Sequence, residues 1–436
     1  MLIDALRCAP DVPRLSAPPA QIARQFRYWR VRILYSTVIG YAVYYFVRTN
    51  ISIAVPAMQQ DLGLTKAQLG LVMTLGLSVY GASKFVNGLL GDRCNPRFFM
   101  ALGLICSAGM NIGFGMSSGL TSLAGFWLTN GWFQGMGFPP CARSMSHWFA
   151  PSERSSSFAL WNSGHQIGAA GVAVLAGYLV GFGWRWCFFV PAGIAILGSV
   201  FLLDRLRDAP GSLGLPPVEE YRGEVPAATS TADGHWRFVL RHVLGDKFVW
   251  IVSIANFFVY TLRYAMLNWA PSFLSQFKGT SLQAAGWLSA GSEIAGMIGA
   301  IVGGVVTDRL LGGRAGRTCL AATVLLMVAV FAFWKSPGTS TWLCATFFLF
   351  MGFLVYIPQL LIAVIAMNIA TKRAAAAAVG LTGIFGYASS VLSGWGVGRL
   401  VDHFGWDAAF VLMIGCCAVM GALFVLTWNV GPERVR

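Results

Sequence analysis

The 436 residues are 56 % hydrophobic and only 11 % charged, with a mean hydropathy of +0.64. A soluble chain is about a quarter charged, so this composition excludes a soluble enzyme, a disordered chain and a secreted disulfide scaffold. The formal net charge of +14 would raise nucleic acid as a partner for a soluble protein; here the basic residues answer first to membrane topology.

The leader, residues 1–32, carries Arg7, Arg14, Arg24, Arg27, Arg30 and Arg32 and no apolar h-region. No cleaved signal peptide is expected, and the N-terminus is expected to stay in the cytoplasm. A helix needs about 20 predominantly apolar residues to cross a bilayer. Such runs lie near 33–58, 67–91, 98–118, 121–144, 156–181 and 186–204. Six more lie near 247–272, 284–307, 318–336, 341–369, 375–400 and 408–429. The only long polar stretch, 205–246, holds Pro210, Pro216, Pro217, Glu219, Glu220, Glu224 and Pro226. It divides the twelve spans into an N-terminal half, 33–204, and a C-terminal half, 247–430, with a short tail at 431–436. With the N-terminus inside, the inside segments hold 23 Lys and Arg and the outside segments five. That bias predicts both termini in the cytoplasm and explains the basic balance without nucleic acid. The nine cysteines show no C-x-x-C and no Cys/His zinc spacing, which leaves them as small apolar packing residues and implies no metal or cofactor.

The chain repeats itself. Gly88, Asp92, Arg93 and a trailing Arg97 follow the second span as G-x-x-x-D-R, and Gly304, Asp308, Arg309 and Arg314 follow the eighth. Tyr45, Arg48 and Pro56 of the first span match Tyr260, Arg263 and Pro271 of the seventh at a constant offset of 215. Two six-helix repeats in parallel orientation are therefore expected, related by an axis along the membrane normal, with a substrate site between them near the midplane.

Three basic residues fall inside spans: Arg48, Lys84 and Arg263, against the lone acid Glu293. Each intramembrane cation costs at least about 2.5–3.5 kcal/mol and needs a compensating partner. An excess of fixed cations in a low-dielectric cavity is satisfied by an anion taken from water. The repeat puts Arg48 and Arg263 in equivalent places, on opposite sides of one expected cavity, where two guanidinium forks suit the oxygens of a phosphate. Glu293 is expected to partner a basic residue when substrate is absent. His165 lies within Trp161–Gln166 of the fifth span. Its near-neutral titration would follow phosphate, whose second pKa is about 6, though a lone buried histidine serves equally as a hydrogen-bonded core residue. Tyr41, Tyr45, Tyr80, Tyr260, Tyr387 and Gln134 bring polar tips to the same helices and read either as pocket wall or as packing. No nucleotide motif G-x-x-x-x-G-K-[ST] exists, and no nucleophile–base set or metal cluster supports an intramembrane enzyme.

At these residues the chain resembles a known family. The paired G-x-x-x-D-R loops are similar to the signature of the major facilitator superfamily. The stretches Gly40–Asn50 (GYAVYYFVRTN), Tyr80–Arg97 (YGASKFVNGLLGDRCNPR), Asn130–Arg143 (NGWFQGMGFPPCAR), Trp161–Gly168 (WNSGHQIG), Ala255–Pro271 (ANFFVYTLRYAMLNWAP) and Gly380–Tyr387 (GLTGIFGY) resemble its organophosphate:inorganic phosphate antiporters, most of all the bacterial glycerol-3-phosphate carriers. The resemblance implies an all-α membrane protein of twelve helices in two pseudo-symmetric halves, in a bacterial inner membrane and acting as a monomer. It implies exchange of an organic phosphate, best glycerol-3-phosphate, for inorganic phosphate by alternating access. The alternatives are a hexose-phosphate carrier or a transporter-like sensor of external sugar phosphate. It further implies that Arg48 and Arg263 hold the phosphate, with Lys84 and His165 contributing and Tyr45, Tyr80, Tyr260 and Tyr387 lining the pocket. Thr49 and Asn268 stand where the glycerol-3-phosphate pattern has Lys and Asp, so one gating ion pair of that pattern is expected to be missing or replaced by a weaker hydrogen bond.

Overall fold

The computed structural model describes all residues but 1–5, 92, 151–152, 154–156, 158–159, 224–242, 338–339, 370–374 and 431–436. The regular elements among the described residues are all helical. In chain order they are α1 Pro19–Phe46, α2 Ile51–Leu62, α3 Lys66–Gly91, α4 Pro96–Met116, α5 Leu120–Gln134, α6 Phe138–Trp148, α7 Gly164–Leu179 and α8 Trp186–Arg205. After a short α9 at Val218–Arg222 follow α10 Lys247–Gln276, α11 Leu282–Leu310, α12 Ala315–Lys335, α13 Thr341–Ile369, α14 Ala375–Ala388, α15 Val397–Phe404 and α16 Trp406–Leu426.

Among the described residues, ten helical stretches are long and apolar enough to cross a membrane. The fourth and eleventh spans are each split into two shorter helices, and with them the count is twelve. Gly135 to Gly137 separates α5 from α6, where Pro139 and Pro140 bring no backbone N–H to the ladder. A π-helical turn at Val391–Gly396 separates α14 from α15. Broken backbone is tolerated at membrane depth only where protein or a cavity satisfies the freed groups, so each break marks helix buried against helix.

Contacts divide the chain into two compact units. The first comprises Met1–Asn50, Val79–Val172 and Trp184–Ala228. Lipid gives little hydrophobic drive for one helix to leave it for another, so close approach rests on small residues. Gly164 and Gly168 of α7 lie against the carbonyls of Val38 and Ala42 of α1, and a Cβ at Gly164 would sit 2.8 Å from the Val38 oxygen. The leader is not a loose tail in this unit. Val12 N–H donates to Gly211 O at 3.1 Å, Leu15 N–H to Gly214 O at 2.9 Å and Asn95 N–H to Leu6 O at 2.8 Å. Asp208, 2 % exposed at its side chain, pairs with Arg143 and accepts from Ala9 N–H at 2.8 Å.

The second unit comprises Ile51–Ser78, Ala173–Gly183 and Thr229–Arg436. It therefore joins the far ends of the first, second and fifth spans to the C-terminal spans. Thr74 Oγ1 donates to Ser390 O at 2.9 Å and accepts from Trp395 N–H at 2.9 Å. Gln276 Nε2 donates to Gln59 Oε1 at 3.0 Å, and Trp287 Nε1 to Tyr178 Oη at 3.3 Å. Gly299 of α11 faces the Phe353 carbonyl of α13 so closely that a Cβ would overlap backbone, which cannot swing aside.

Candidate functional site

The first span is not the continuous helix that its hydropathy predicts. α1 ends at Phe46 and α2 begins at Ile51, with Arg48 and Thr49 in the turn between them. The sequence favours a break here because Thr49 and Asn50 are weak helix formers that bond locally instead. Thr49 Oγ1 indeed donates to Tyr45 O at 3.1 Å. The Val47 carbonyl accepts from three side-chain amides: Asn130 Nδ2 at 2.9 Å, Asn111 Nδ2 at 3.1 Å and Gln134 Nε2 at 3.4 Å. Asn50 Nδ2 donates to Asn111 Oδ1 and to Cys187 O, both at 2.9 Å. The break is thus held by side chains of α4 and α5 and by a carbonyl of α8.

That network positions Arg48. Its Nε donates to Gln134 Oε1 at 2.9 Å, and its guanidinium carbon lies 4.1 Å from the ring centre of Tyr80 and 4.5 Å from that of Tyr45. Two aromatic faces and one amide oxygen hold the planar fork without cancelling its charge. Lys84 places its Nζ 3.8 Å from the ring centre of Phe138. Tyr41 joins the neighbourhood, with its ring centre 5.6 Å from that of Tyr45, 6.2 Å from that of Phe138 and 5.1 Å from that of Trp161. His165 is buried, with its ring 5.6 Å from that of Tyr45 and its Nδ1 against the Asn162 carbonyl. A carbonyl only accepts, so Nδ1 carries the proton, and neutral His165 has an acceptor at Nε2. The first unit therefore brings Arg48, Lys84, His165, Gln134, Tyr41, Tyr45 and Tyr80 into one connected cluster.

The second unit builds its cluster differently. Arg263 sits inside the unbroken α10, 7 % exposed. Its Nη2 donates to Tyr356 Oη at 2.9 Å, and that hydroxyl donates in turn to Glu293 Oε2. The expected partnership of Glu293 with a basic residue runs through this tyrosine. The guanidinium carbon lies 4.8 Å from the Tyr356 ring centre, 5.6 Å from Tyr264 and 5.9 Å from Tyr260. The Tyr260 and Tyr387 rings are 6.4 Å apart. Gly296 makes room for the Tyr356 ring on α11, where any Cβ would overlap it. Tyr356, Asn111 and Asn130 were not among the sequence candidates. Asn111 and Asn130 show in the sequence as amides within apolar spans, where each needs a partner, whereas Tyr356 stands among Phe, Leu and Ile and does not stand out.

The repeated loops lie apart from both clusters. Arg93, Asp308 and Arg309 are exposed, Gly88 and Gly304 have open space where a Cβ would go, and Asp92 lies outside the described residues. Arg97 is half-buried and donates from Nε to the Leu203 carbonyl. Among the described residues no group of His, Cys, Asp and Glu could hold a metal ion.

A family model described as the Major Facilitator Superfamily matches residues 37–394. The "Probable hexose phosphate transport protein" of Chlamydia trachomatis is 36 % identical, over 96 % of this chain and 95 % of that one. The "Glycerol-3-phosphate transporter" of Bacillus subtilis is 37 % identical, over 99 % of each. Among solved structures, an inward-facing bacterial homologue of the human lysosomal transporter Spinster superposes with a TM-score of 0.80 at 16 % identity, over 93 % of this chain and 98 % of that one. That likeness concerns the fold alone.

Proposed function

The chain belongs to the Major Facilitator Superfamily, and from that premise we propose that it carries an organic phosphate across a bacterial inner membrane in exchange for inorganic phosphate. Membership makes it a membrane transport protein and not an enzyme. The single observation behind the phosphate is the pair Arg48 and Arg263. They occupy matching places in the repeat, each lies among tyrosines, and Glu293 is the one intramembrane acid set against them. The relatives named above move glycerol-3-phosphate and hexose phosphate, and the phosphate monoester is what those substrates share. Span 11 has no intramembrane Asp or Lys, which favours the smaller polyol.

In the proposed mechanism the phosphate brings its negative charge to the cations of the first-unit cluster. Gln134, which accepts from Arg48 Nε, is a neutral group and does not compete with an anion for that charge. His165 gives its Nδ1 proton to Asn162, so Nε2 donates to a phosphate oxygen only once the ring takes a second proton. Alternating access then requires the contacts of Thr74 with Ser390 and Trp395, and of Gln59 with Gln276, to open. Closing the carrier around unneutralised cations costs several kcal/mol in desolvation. A bound anion lowers that cost, so the loaded carrier interconverts faster than the empty one and exchange outpaces net flux.

The test is efflux of labelled phosphate from proteoliposomes. Fast efflux into medium containing phosphate or glycerol-3-phosphate, with slow efflux into phosphate-free medium, is the expected result. Equal rates in both media would remove the antiport mechanism. Binding of sugar phosphate with no counterflow would make the chain a sensor. A panel of phosphorylated competitors then ranks glycerol against hexose phosphate.

A further inference from the structure

A second basic site lies in the first unit, on the leader side of α1 and separate from the Arg48 cluster. A cavity of about 630 Å³ there is lined, among the described residues, by four arginines, Arg24, Arg27, Arg30 and Arg222, and by no acidic side chain. That volume is room for a headgroup larger than one ion. On α1 the lining positions recur at helical spacing, so Arg24, Arg27 and Arg30 share a face with Val31 and Leu34. Within one helical turn that face changes from guanidiniums to apolar side chains. The change falls where the apolar run of span 1 begins, and Val31 is 60 % exposed.

The site is built and held. Glu153 bridges Arg30 at 2.5 Å and Arg222 at 2.9 Å. Burial alone would push its carboxyl up, but the hydrogen bond and charge of Arg30 and the charge of Arg222 outweigh it and keep the pKa below the usual value. It therefore stays ionised at neutral pH and keeps both arginines in place. The Arg30 guanidinium carbon lies 4.8 Å from the ring centre of Phe149. The linker helix α9 is fixed to α1 by Tyr221 stacked on Phe26, with ring centres 4.1 Å apart and planes 15° apart. Arg24 and Arg27 have no ion-pair partner among the described residues, and the Nε of Arg30 is buried with no acceptor among them. Among the described residues, four guanidiniums against one carboxylate leave a net positive pocket at the boundary of the hydrocarbon.

We propose that this cavity binds the phosphate group of an anionic phospholipid, with the arginines on the phosphate oxygens and an acyl chain along Val31 and Leu34. A free phosphate ion offers the same oxygens to the same forks, but it leaves the apolar wall unused. The wall is what selects the lipid. A lipid seated there would tie α1 to the linker helix α9 and couple the first span to the surrounding bilayer.

The experiment uses the full chain reconstituted in vesicles of equal parts phosphatidylcholine and phosphatidylglycerol. It is then extracted gently and weighed by native mass spectrometry. The wild-type protein is expected to retain phosphatidylglycerol in preference to phosphatidylcholine. The Arg24→Gln/Arg27→Gln double variant is expected to lose that preference by about 30-fold, two residues at the usual contribution of a basic side chain at an anionic surface. Both positions are exposed, and an unchanged melting temperature verifies the fold. Val31→Asn provides an independent arm: it is uncharged, spares the arginines and is expected to lower lipid retention while leaving phosphate-ion binding unchanged. Equal retention of both lipids by the wild type, or equal retention of phosphatidylglycerol by wild type and double variant, overturns the proposal. Stripping of the bound lipid by excess inorganic phosphate, with Val31→Asn indistinguishable from wild type, also overturns it and assigns the arginines to a free phosphate instead.

Discussion

Replacing Gln134 with Glu tests the phosphate assignment at the Arg48 cluster without removing a guanidinium. The amide oxygen of Gln134 lies 2.9 Å from Arg48 Nε, so an isosteric carboxylate would keep the hydrogen bond and add a full negative charge. A phosphate on the far side of the guanidinium would sit about 7 Å from that charge, and at an effective dielectric of about 20 the repulsion is about 2.4 kcal/mol per phosphate charge, or about 50-fold in affinity. The fold has little reason to fail. The variant loses the weak donations to Val47 O at 3.4 Å and Ser107 Oγ at 3.3 Å, while Asn111 and Asn130 still satisfy the Val47 carbonyl. The assay is the concentration dependence of labelled phosphate exchange in proteoliposomes, with the melting temperature measured beside it. A Gln134→Glu protein that melts normally and binds phosphate within threefold of wild type would refute the placement of phosphate on Arg48.

Two further outcomes are expected. Tyr356→Phe removes the hydroxyl between Arg263 and Glu293; hydrogen bonds to charged groups contribute about 1.5–3 kcal/mol each, so thermal unfolding should come earlier and exchange should slow. An unchanged melting temperature would show that the relay contributes nothing. Arg143→Ala leaves the Asp208 carboxylate buried without its cation, a loss of about 3–5 kcal/mol, and should expose the leader, tied to Asp208 through Ala9, to limited proteolysis; a leader as resistant as in the wild type would contradict the latch.

Hydropathy and charge counting carry the fold because the bilayer enforces them: backbone polar groups in lipid must be satisfied within the segment. The same argument assumes regular helix, so it passes over the places where other spans satisfy the backbone. The break at Val47 to Asn50 needs amides from Asn111, Asn130 and Gln134, which lie 61 or more positions along the chain from Asn50 or Val47. No local pattern contains that information. Arg48, Lys84, Arg263 and Glu293 were legible because a charge in an apolar run is conspicuous. Tyr356 was not, because a tyrosine among Phe, Leu and Ile looks like packing until its hydroxyl is placed.

The two arginines share a place in the repeat and differ in everything that sets their charge. Arg48 stands at a helix break, gripped by a neutral amide. Arg263 stands in continuous helix and reaches a carboxylate through Tyr356. Under the proposed function Arg48 and Lys84 offer their charge to the anion, while Arg263 is linked to the Glu293 carboxylate. An anion that engages Arg263 must compete with Tyr356 for a donor or use another face of the fork. Under the proposed function Arg263 is therefore the arginine whose bonds change as the carrier loads, and a conformational switch needs such a difference between its states.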